Sequence, residues 1–215
     1  MEDQNKKEIL GESLIETIAD SGARDTAIDF AEIGVDQLLL KGLQDETFNQ
    51  VPIIKGIYSV FKAGLAVRDY FFLRKFFLFI SGFKDIDEEF KTKIDQAMSD
   101  PKYKVELGEQ LVNALERFDQ LSKANALFKL LVAWINQKIN YQEFLQYVYV
   151  LDRINYNSLE VLKDFYLLDK AKGNNHLLNN CAFVGLLTLG GSWIHVGGFT
   201  KNEFGEKFLK ILDIL

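Results

Sequence analysis

The chain has 215 residues, 48% apolar and 26% charged, enough for one large domain or two small ones with ample core material. Two prolines, where average usage gives roughly 11, favour helices over a turn-rich sandwich. One cysteine excludes an internal disulfide and points to a reducing compartment, and two histidines leave little for histidine catalysis or a zinc site.

Charge divides the chain unevenly along its net −6. Residues 1–50 carry 4 basic and 12 acidic groups, whereas residues 51–84 carry Lys55, Lys62, Arg68, Arg74, Lys75 and Lys84 against Asp69 alone. The polar, acidic start contains no signal-peptide pattern. Leu10, Leu14, Ile15 and Ile18 predict an amphipathic helix over 6–20, broken at Ser21-Gly22, where Gly22 suits a left-handed cap. A second helix is predicted over 24–41, with Ala27, Ala31, Val35, Leu38 and Leu39 inward and Asp25, Asp29, Glu32 and Asp36 outward. Those four acids are spaced for a divalent cation but read more simply as a solvated face.

Pro52 opens a long helix, or two hinged near Gly64, reaching Phe83. Its Tyr70–Ile80 stretch is apolar nearly all round, which fits a central core helix, an oligomer contact or a membrane-surface element. Five charges within Ile57–Phe83 argue against a transmembrane span, as do five glycines within Cys181–Phe199. Asp85 is the expected cap of a short helix and Asp100-Pro101 the start of the next, whose Val105, Leu107, Leu111, Leu115 and Phe118 face inward. Further helices are predicted over 122–137, with Ala126, Leu127, Leu130, Leu131 and Trp134, over 141–154 behind the Asn140–Glu143 cap signature, and over 159–168 behind Asn157-Ser158. Six glycines then gather between Gly185 and Gly205, and the two Gly-Gly pairs flanking Ser192–Val196 predict a small β-hairpin before a last helix over 201–212.

Motifs for chemistry fail on spacing. Residues 132–144 imitate a calcium loop ending at Glu143, but its first and third positions are Val132 and Trp134 and its glycine position is Gln137. The glycine pairs match no phosphate loop, and Gly191-Ser192-Trp193 lacks the spacing of a nucleophile elbow. Ser192 and His195, three apart on one strand, point to opposite faces. His176 with Cys181 is a weak pair without an orienting acid, and Cys181 beside Ala182-Phe183-Val184 reads as a core residue.

The C-terminal order resembles a winged-helix domain. It has a helix pair closing at Gly185-Leu186-Leu187, a glycine-turned hairpin, then Phe199-Thr200-x-x-Phe204-Gly205-x-x-Phe208. That resemblance implies nucleic-acid contacts from Lys170, Lys172, Asn175, His176, Asn179 and Lys201. The body resembles a loose group of uncharacterised bacterial proteins in Glu32–Asp36, Val51–Ile54 and Arg68–Phe76, which implies a bacterial source and no assigned activity.

The expectation is a mostly α protein: a multi-helix bundle over 1–155 and a winged-helix-like module with a β-hairpin over 156–215. Its expected role is non-enzymatic interaction or regulation, without cofactor or metal, through a protein partner or self-association. Two other partners stay open, nucleic acid at the C-terminal module and an anionic membrane surface at the basic residues of 51–84. The expected location is the cytoplasm, with peripheral membrane attachment as the variant.

Overall fold

The computed structural model describes residues 2–33, 50–60, 67–84, 86–98, 101–168, 175–190 and 198–215. Among them are eleven helices and one two-stranded antiparallel sheet near the C-terminus, the mostly α architecture expected. The chain forms two compact units, 1–128 and 129–215, divided earlier than the expected 155/156 boundary and inside a helix.

The first unit holds α1 (Glu2–Ala19), α2 (Ser21–Ile33), α3 (Pro52–Val60), α4 (Val67–Ser81), α5 (Glu88–Met98), α6 (Pro101–Arg117) and the start of α7 (Ser122–Ile135). The predicted stripe of α1 is its core face: Leu10, Leu14, Ile15 and Ile18 are all buried, and α1 packs on α6 and α3. Gly11 and Gly108 make the α1–α6 crossing close, since a Cβ on Gly11 would lie 2.8 Å from the Glu109 amide nitrogen. Thr17 joins α1 to α3, its hydroxyl donating to the Ser13 carbonyl and accepting the Ile53 amide at 3.0 Å.

Several boundaries differ from expectation for local reasons. The α1–α2 break is Asp20 alone, whose carboxylate accepts the Ala23 amide at 2.7 Å and so starts α2 at Ser21. Gly22 is therefore helical, and the left-handed cap is not needed. Residues 34–41 of the second predicted helix, and Asp36 with them, lie outside the described residues, as do residues 61–66 around the hinge at Gly64. Asp87 caps α5, accepting the Phe90 amide at 2.7 Å; the expected cap, Asp85, lies outside the described residues. On α6, Leu107, Leu111 and Leu115 are buried but Val105 is exposed, a correction to the predicted face.

The second unit continues α7 into α8 (Tyr141–Arg153), α9 (Ser158–Leu168), α10 (Asn175–Phe183), β1 (Leu187–Leu189), β2 (Phe199–Lys201) and α11 (Glu203–Ile211). The α8 capping box forms in full, with Asn140 accepting the Glu143 amide and Glu143 accepting the Asn140 amide, each at 2.9 Å. Ser158 does not cap α9: its hydroxyl is buried and makes no hydrogen bond, while its amide donates to the Asn155 carbonyl. Gly185, at φ +85°, closes α10 with amide bonds from Gly185 to Ala182 and from Leu186 to Cys181, the geometry only glycine adopts cheaply.

The strands pair Leu187 with Lys201, Thr188 with Thr200 and Leu189 with Phe199. They flank the segment expected to be a strand, since residues 191–197, with Ser192 and His195, lie outside the described residues. Tyr166 and Asn202 knit the hairpin to its helices. The Tyr166 hydroxyl reaches the carbonyls of Leu186 (2.9 Å) and Asn202 (3.0 Å), and the Asn202 side chain accepts the Gly205 amide as the cap of α11.

Three cations bond the carbonyls that end another helix. Arg24 donates to Ile18 of α1, Lys75 to Glu116 of α6 and to Phe118 just beyond it, and Lys129 to Leu212 after α11. Helix ends leave carbonyls without intrahelical partners, and a positive group there also meets the negative pole of the helix.

Candidate functional site

The second unit carries an open cleft of about 320 Å³ lined by Gln142, Leu145, Gln146, Tyr149 and Val150 of α8, Val184 beyond α10, and Phe204 of α11. Gln142, Leu145, Gln146 and Tyr149 recur every three or four residues and therefore share one face of α8. That helix is fixed by its capping box and by Glu143, whose carboxylate meets Lys207 of α11 at 2.6 Å. The Lys207 ammonium, and then the Asn140 amide, hold the Glu143 carboxyl below its usual range.

Behind the cleft, Tyr147 stacks on Phe204 with centroids 4.5 Å apart and donates to the Phe204 carbonyl at 3.2 Å. Burial raises the Tyr147 phenol, so it stays protonated and serves as a packed donor. Of the lining, Tyr149 is 56% exposed with the Arg153 guanidinium 5.5 Å from its ring centre; elsewhere in the unit, at the end of α10, Phe183 is 81% exposed. The lining offers two carboxamides, one phenol and apolar walls, which can hold an uncharged group but supply no activated nucleophile.

Cys181 is fully buried and burial pushes its thiol up to about 12, so it carries no thiolate near neutrality. His176 is exposed on the same helix, so the two form no pair. Glu143 belongs to the α8 cap and to the Lys207 ion pair. Asp25, Asp29 and Glu32 are exposed along α2, and no group of three or more metal-ligating side chains occurs among the described residues.

The residues expected at nucleic acid divide. His176, Asn179 and Phe183 are exposed at i, i+3 and i+7 on one face of α10, and Lys201 is exposed at the end of β2. Asn175 opens α10, while Lys170 and Lys172 lie outside the described residues.

The residues expected at an anionic surface are not brought together where they are described. Lys75 is only 5% exposed, a correction to its expected surface place: it caps α6, and burial lowers its ammonium pKa against the opposing charges of Glu116 and Asp119. Lys84 pairs with Glu32 of the acidic α2 face at 2.5 Å. Arg74 is half-buried with its guanidinium 5.8 Å from the Tyr70 ring centre, and Lys55 is exposed on α3. Lys62 and the side chain of Arg68 lie outside the described residues. Among the described residues no helix is long and apolar enough to cross a membrane.

Sequence reasoning missed the exposed Phe183, because Cys181-Ala182-Phe183-Val184 reads as a continuous apolar run; only the spacing from His176 and Asn179 signals that it faces outward. Comparison with known proteins finds no matching family model, no matching curated protein and no matching solved structure.

Proposed function

We propose that the chain is a non-enzymatic interaction or regulatory protein whose contact surface is the uncharged apolar face of its second unit. The observation that carries this reading is a cleft whose lining includes no acid or base other than the phenol of Tyr149, itself 56% exposed, in the unit that also leaves Phe183 81% exposed. Leaving such a ring in water forgoes the burial of most of its apolar surface, about 2 kcal/mol for a side chain of this size, which a partner recovers. The test is a photo-crosslinking phenylalanine analogue placed at Phe183, and separately at the exposed Asp95 of α5, in the full chain within its native cells. Covalent adducts from position 183 and none from position 95 are expected; no adduct from position 183 overturns the reading.

A second reading, nucleic-acid binding by a winged-helix-like module, is supported by the His176–Asn179 face of α10 and by Lys201 on the adjoining hairpin. Asparagine can bond adenine through two atoms and lysine can meet phosphate. Its test is the salt dependence argued in the Discussion.

A further inference from the structure

We draw no further inference here: the strongest candidate, the open cleft that the outer face of α8 forms with Val184 and Phe204, belongs to the interaction surface already proposed, and nothing in the structure shows what covers it.

Discussion

A lysine in the most basic stretch of a chain belongs, on sequence grounds, to its surface, and Lys75 shows what that reasoning omits. Its ammonium reaches two carbonyls at the end of α6, at 3.0 and 2.8 Å, from a helix that is far away in sequence. No local pattern marks such a partner, because the carbonyls belong to the backbone and every residue has one. Lys75→Met keeps the length and removes the donor, and is expected to cost about 1–3 kcal/mol at neutral pH, read by urea unfolding. The pH dependence has a definite sign. Burial holds the folded pKa below 10.5, so between the two values the unfolded chain binds a proton that the folded chain has released. Stability contributed by this site therefore rises with pH across that window and is flat below it. The advantage of wild type over Lys75→Met should grow as pH climbs toward 10.5. An advantage that shrinks there would mean that the cap depends on the charge more than burial penalises it.

Helix starts were legible where their signals are local. Asn140 and Glu143 satisfy each other three residues apart, and the α8 cap forms as the spacing requires. Asp87, Asp20 and Asn202 act by the same chemistry but sit among other candidate caps, so the sequence left a choice of one or two residues. Helix pairings were not legible, because amphipathic stripes say which side is buried and not against what. The α1–α6 contact depends on Gly11 and Gly108 lacking side chains, and glycine in a helix otherwise signals only weakness. Two substitutions of identical chemistry should therefore act in opposite directions. Gly108→Ala puts a methyl against the Gly11 backbone and should cost about 1–3 kcal/mol in thermal or urea unfolding. Gly22→Ala, in an exposed turn of α2 where the nearest atom to a Cβ is the Asp20 carboxylate at 3.4 Å, should gain about 0.5–1 kcal/mol. Equal effects from the two would mean that the crossing yields and that helix propensity alone governs both.

At the scale of the whole molecule, charge is what separates the two proposed partners, protein and nucleic acid, in an experiment. The sequence supplied the totals; the fold adds where they lie, with the acidic excess confined to residues 1–128 and near neutrality over 129–215. Polyanion affinity comes from cations released against phosphates, and each contact adds about −0.9 to the slope of log K against log salt. Of the cations in the second unit, Lys207, Lys210, Lys129 and Arg153 have carboxylates within 4 Å, at Glu143, Glu206, Asp213 and Asp152. The exposed face of α10 contributes His176, Asn179 and Phe183 and no lysine or arginine. The winged-helix resemblance nominates Lys170, Lys172 and Lys201, and a contact made through those three alone has a slope near −3. Fluorescence anisotropy with duplex DNA at low and moderate salt should give a slope no steeper than about −3 and affinity no tighter than the non-specific range, about 10⁻⁶ M at physiological salt. Lys201→Ala should make the slope shallower by about 1 if that residue meets phosphate and leave it unchanged if it does not. A slope beyond about −5 with nanomolar affinity would require more phosphate contacts than these three lysines supply, and would move the function from partner docking to nucleic-acid binding.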